Sequence, residues 1–90
     1  MAADGTVPAT IRVRLLCFSH VRDALGEGAV ELTLPADARA ADVTREVRNR
    51  TKGRLDGMPL RIAVNSAFVA DDAPLVDGDE VALIPPVQGG

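Results

Sequence analysis

The chemistry open to this chain is concentrated at its end. Leu83-Ile84-Pro85-Pro86-Val87-Gln88 runs into Gly89-Gly90, a bare diglycine carboxylate. Glycine has no Cβ, so such an end is slender and can take backbone angles closed to other residues. Those properties are what a carboxylate needs to enter a narrow enzyme site. Gly90 is therefore the candidate reactive residue, and Gly89 gives it access. Counting removes most other catalytic constellations. Cys17 is the single cysteine and His20 the single histidine, which excludes an internal disulfide, a thiolate cluster and a histidine-based metal site. Cys17 reads as a buried small hydrophobe and His20 as a solvated or capping residue. Asp71, Asp72, Asp77, Asp79 and Glu80 cluster in sequence. They lack the fixed ligand spacing of a calcium loop, so they read as turn chemistry and a solvated edge. Such acids could still orient the domain toward a basic partner. No metal and no cofactor site is expected.

Ninety residues make one small domain with a modest core. The formal net charge is -3, and the nine arginines and Lys52 are mixed with acids. There is no basic run, and the only aromatics are Phe18 and Phe68. That composition excludes a nucleic-acid partner. The start lacks the charged and apolar segments of a signal peptide, and no stretch is long enough to span a membrane. A soluble cytoplasmic protein without a membrane partner is the expectation.

The elements that position the ending follow from periodicity. Residues 1–9 read as a loose leader. Ile11, Val13, Leu15 and Cys17 alternate with Arg12, Arg14, Leu16 and Phe18, which is the period of a strand. Ser19 can cap a short helix, Ser19 to Leu25, ended by Gly26. Ala29 to Leu34 alternates again and is closed by Pro35. Arg39 to Lys52 predicts the main helix, with Ala40, Val43 and Val47 on its apolar face and Gly53 as its stop. Leu60 to Asn65 predicts a third strand with Leu60, Ile62 and Val64 on one face. Ala67 to Ala70 predicts a short fourth. Asp77-Gly78 signals a turn before a last strand, Glu80 to Ile84, that Pro85 ends. Sequential hairpins with one long helix imply a mixed sheet of about five strands and an α+β roll. Residues 10–86 form the domain and residues 87–90 a flexible reactive tail.

One face of that sheet departs from the polar pattern. Arg12 and Arg14 mark the outward face of the first strand, and the same period places Leu16 and Phe18 there. Glu80 marks the outward face of the last strand, and Ala82 and Ile84 share it. If these strands are parallel neighbours at the centre of the sheet, the four residues form an exposed apolar patch beside the tail. Such patches mark partner surfaces. The competing possibility is that Phe18 folds over the sheet edge and completes the core.

The ending and the element order resemble the β-grasp sulfur carriers, the ubiquitin-like MoaD/ThiS superfamily, and most of all its MoaD type, the small subunits of molybdopterin synthase. The resemblance runs from about Ile11 to Gly90. It rests on Phe18 with Val21-Arg22-Asp23 and Gly26, on Ala63-Val64-Asn65, and on Leu75-Val76-Asp77-Gly78-Asp79-Glu80-Val81-Ala82 leading to Pro85-Pro86-Val87-Gln88-Gly89-Gly90. It implies a ubiquitin-like β-grasp roll and a chain with no catalytic centre of its own. An E1-like activating enzyme would use ATP to adenylate the Gly90 carboxylate. A desulfurase- or rhodanese-type donor would then convert it to a thiocarboxylate. The tail would enter the synthase large subunit, in a heterotetramer of two small and two large subunits, and sulfurate a pterin precursor (precursor Z) to the molybdopterin dithiolene. Phe18 and Ile84 would make the partner contact, with Leu16 and Ala82 secondary. Pro85 and Pro86 would stiffen the tail root, and Val87 and Gln88 would follow the tail into the partner. Residues 87–90 extend about 13 Å, enough to cross a pocket wall.

Other functions stay open on the sequence. Sulfur could go to thiamine, cysteine or tRNA. The chain could be a ubiquitin-like modifier joined through Gly90 to lysines, although its single Lys52 disfavours self-linked chains. It could also be an interaction module with an inert tail. The leader is longer than such carriers need, and the main-helix stripe is thin, built of valine and alanine rather than leucine.

Overall fold

Alternation in the first strand directs Ile11, Val13, Leu15 and Cys17 inward, and all four are buried in the structure. The computed structural model describes residues 9–85. The expectations for residues 1–8 and for Pro86, Val87, Gln88, Gly89 and Gly90 lie outside the described residues. The order is β1 (Thr10–Cys17), α1 (Ser19–Leu25), β2 (Ala29–Pro35), α2 (Ala40–Thr51), β3 (Arg61–Val64), β4 (Ala67–Phe68) and β5 (Glu80–Ile84). The strands form one sheet in the order β2-β1-β5-β3-β4. β1 and β5 are parallel neighbours at its centre, and the remaining pairs are antiparallel. This is the mixed five-stranded α+β roll that the periodicity implied.

A parallel central pair cannot be joined by a tight turn, so β1 and β5 are brought together by everything between them. The core lies on the side of the sheet that receives Val43 and Val47 from α2 and Val21 from α1. Leu15, Leu32, Val81 and Leu83 join them at 1% exposure or less. The thin stripe of α2 is therefore sufficient: Ala40, Val43 and Val47 are all fully buried in the shared core. Leu55, in the segment after α2, is also fully buried. Arg48 holds that segment by donating to the carbonyls of Leu55 and Met58.

The ends of the helices differ from expectation. Ser19 does not cap α1: Phe18 is the N-cap residue, no side chain caps the turn, and Ser19 opens the helix in the left-handed region at φ 51°. The Ser19 hydroxyl lies instead 3.4 Å from His20 Nδ1. Arg39 precedes α2 in an extended conformation rather than belonging to it. Its backbone N–H donates to Asp42 Oδ2 at 2.7 Å, the carboxylate half of a capping box. α2 ends at Lys52, in the left-handed region at φ 50°, and Gly53 continues the reversal at φ 91°. The third strand starts at Arg61 and gives up Asn65 to the Asn65-Ser66 turn, and the fourth ends at Phe68, two residues before its sequence pattern does.

Candidate functional site

The parallel register of β1 and β5 sets Leu16 directly beside Ala82 and Arg14 beside Glu80. Both strands thus begin charged and end apolar on the side away from α2, as their alternation required. β3 continues the surface, with Arg61 beside Ile84 and Ala63 beside Ala82. β4 adds Phe68, paired with Ala63. Leu16, Ala82 and Ile84 are half-buried, whereas Phe18 and Phe68 are 48% and 53% exposed. Phe18 is therefore not a lid on the core. Together these side chains line a shallow concavity of about 300 Å³, with Ser66 and Glu80 at its polar margin.

The structure brings together Leu16, Phe18, Ala82 and Ile84 from the sequence reading. Pro85 is buried where β5 ends. Phe68 and Ala63 were missed by sequence reasoning. The available signal was the two-residue turn Asn65-Ser66 between Val64 and Ala67, since the pairing it sets puts Phe68 opposite Ala63.

That turn is held by the acids before β5. Asn65 and Ser66 both have positive φ, 50° and 75°, in a sequence without glycine. Asn65 Nδ2 donates to Asp79 Oδ1 at 2.9 Å, Asn65 Oδ1 accepts from the Glu80 N–H at 3.0 Å, and the Asn65 N–H donates to the Glu80 carbonyl at 2.7 Å. Asp79 Oδ2 also accepts from the Val76 N–H at 2.8 Å, and Asp77 Oδ1 accepts from the Arg12 N–H at 2.8 Å. Asp77 and Asp79 of the acidic cluster are thus used in turns, and Asp79 helps fasten the β3–β4 turn to the start of β5. No group of three or more metal-ligating side chains converges among the described residues.

Cys17 lies on the opposite, inward face and is buried. Burial, with Glu27 adding to it, pushes its thiol above the usual range. The protonated, enclosed thiol is a poor nucleophile. His20 is exposed at the start of α1, away from the concavity. No helix among the described residues is long and apolar enough to cross a membrane.

The sheet order defines a ubiquitin-like β-grasp domain, with an open apolar concavity on its outward face that includes Ile84, the last residue of β5. A model of the ThiS family matches residues 15–90, and the chain belongs to that family. Over 82 residues it is 38% identical to the molybdopterin synthase sulfur carrier subunit of Escherichia coli (strain K12), covering 87% of this chain and 99% of the relative. Among solved structures, a putative molybdopterin converting factor subunit 1 from Pyrococcus furiosus superposes with a TM-score of 0.78 at 30% identity, covering 86% of this chain and 99% of that one. A complex of subunits 1 and 2 of the molybdopterin-converting factor from Helicobacter pylori matches with a TM-score of 0.57 at 26% identity, over 89% of this chain and 100% of that one.

Proposed function

We propose that this chain is the sulfur carrier subunit of a molybdopterin synthase, with the Gly90 carboxylate as the carrying group. The observation that carries the reading is a whole-length match to a carrier of that name, in a domain whose exposed apolar face lies at the departure point of the tail. A carboxylate is a poor acyl donor until one oxygen becomes a good leaving group. An activating enzyme would therefore join Gly90 to the AMP portion of ATP and release pyrophosphate. Sulfur at the sulfide oxidation level, supplied by a donor protein, would then displace AMP and leave a thiocarboxylate. That group is a strong nucleophile without any side-chain thiol, which accords with the enclosed state of Cys17.

The receiving partner is a large subunit of the kind that accompanies subunit 1 in the Helicobacter complex. Phe18, Phe68 and Ile84 would seat the domain on it, with Leu16 and Ala82 beneath them. Removing that surface from water contributes roughly 25 cal/mol per Å², before the losses of association. Gly89 and Gly90 would enter the partner, which would supply the base and the charged groups for sulfur attack on a pterin precursor. The slender tail confines the chemistry to the partner's pocket while the domain remains outside.

The test is intact-protein mass spectrometry of the native chain co-expressed with the activating enzyme of its own genome. The expected product has one C-terminal oxygen replaced by sulfur, and it is consumed when large subunit and pterin precursor are added. Sulfur that loads but is not consumed would redirect the carrier to another pathway. Adducts on lysines of other proteins, without thiocarboxylate, would make the chain a modifier.

A further inference from the structure

One cation stands on the otherwise apolar end of the docking face. Arg61 is exposed on β3, in register with Ile84, the last residue of β5. Its guanidinium carbon lies 3.7 Å from the centroid of the Phe68 ring. A guanidinium held over an aromatic ring is attracted through its charge and still has N–H donors to offer an acceptor. The ion pairs among the described residues join Arg12 to Glu31, Arg45 to Asp42 and Arg50 to Glu46, and none involves Arg61. Asp71 shares a neighbouring surface hollow with Arg61 but forms no ion pair with it. Glu80, the acid on the same face, sits at the other end of β5 beside Arg14.

We propose that Arg61 determines partner specificity by receiving a carboxylate from the protein docked on this face, with Phe68 as the platform that holds the guanidinium. The inference rests on the docking role proposed above. A partner that covers Ile84 and Phe68 also takes Arg61 out of water, and a guanidinium left there without an acceptor is strongly unfavourable. The matching group is therefore an Asp or Glu side chain, whose two oxygens fit the guanidinium fork. Apolar contacts alone leave the docked domain free to rotate on the surface. A paired charge beside Ile84 fixes that rotation at the point where the chain leaves the sheet, and so sets the direction in which the tail enters.

Calorimetric titration of the cognate synthase large subunit with the full chain tests this, at low and high salt. R61A is expected to weaken binding by about tenfold or more and to flatten its salt dependence. R61K should recover part of the loss, because it keeps the charge without the fork, and R61E should bind more weakly than R61A. F68L, which keeps an apolar contact but removes the ring, should lose several-fold, while the unfolding midpoints of the exposed Arg61 variants remain those of the wild type. The double variant F18A/I84A is the control for the face itself. If it loses binding while R61A and R61E bind as wild type, the carboxylate contact is wrong and the docking face stands. If F18A/I84A also binds as wild type, the docking face is wrong and the contact falls with it.

Discussion

The two sides of the central strands teach different lessons with similar residues. On the inward side Leu15, Cys17, Val81 and Leu83 are sealed beneath α2 and α1. On the outward side Leu16, Phe18, Ala82 and Ile84 have no covering element among the described residues and line an open concavity. Hydrophobicity alone does not separate these sets, because each consists of apolar residues at alternate positions. What separates them is the supply of helices, both of which, among the described residues, pack on one face. Inward residues therefore account for stability, and outward residues are available for association.

That contrast can be broken at several points. The largest effect on folding is expected for Leu83→Ala, which removes a fully buried side chain from the strand shared by both faces. It should cost about 3 kcal/mol in chemical denaturation, a large part of a small domain's stability. Phe18→Ala is expected to do the reverse. Its unfolding midpoint should stay near that of the wild type, while affinity for the large subunit, measured by titration, falls by about tenfold or more. Equal stability losses in the two variants would erase the distinction between the faces.

Two smaller effects sharpen it. Asp79→Ala removes the acceptor shared by Asn65 and Val76, and should cost about 1–2 kcal/mol in the same denaturation assay. Because this clamp carries the hairpin that presents Phe68, docking should weaken as well. Asp42→Asn weakens the start of α2 by about 0.5–1 kcal/mol at neutral pH and should leave docking unchanged. The Asp42 carboxyl is held below its usual value of 3.8, first by the Arg39 N–H and then by Arg45. Its contribution is therefore present above about pH 4 and disappears as pH falls through the lowered folded value. Denaturation curves of the wild type and Asp42→Asn should thus converge in acid, which would not occur if the carboxylate were unpaired.

Most of the fold was legible because alternation and helical spacing are local signals. β1, α1, β2 and β5 match their sequence ranges within a residue, and Ala40, Val43 and Val47 form the buried stripe of α2. The parallel neighbours β1 and β5 were a conditional step, since pairing across nearly the whole chain has no local signature. Phe68 was lost because β4 is only two residues long, too short to show a period. Lys52 ends α2 in a left-handed conformation usually given to glycine, and Ser66 does the same in the hairpin. In both places local preference yields to the turn that its neighbours require. The Arg61–Phe68 stack joins adjacent strands and depends on their register, which composition does not reveal.

The place of β5 has a consequence in time. It is the last strand to be synthesised, yet it fills the gap between β1 and β3. Before it arrives, both neighbours present unpaired edges, and the sheet must wait for its most distant partner in sequence. A chain cut short on the ribosome before β5 lacks Ala82 and Ile84 as well as Gly89 and Gly90. It is therefore without two of the four central residues of the outward apolar face. The strand that completes the sheet is thus also the one that completes the outward apolar face, so an unfinished copy has neither.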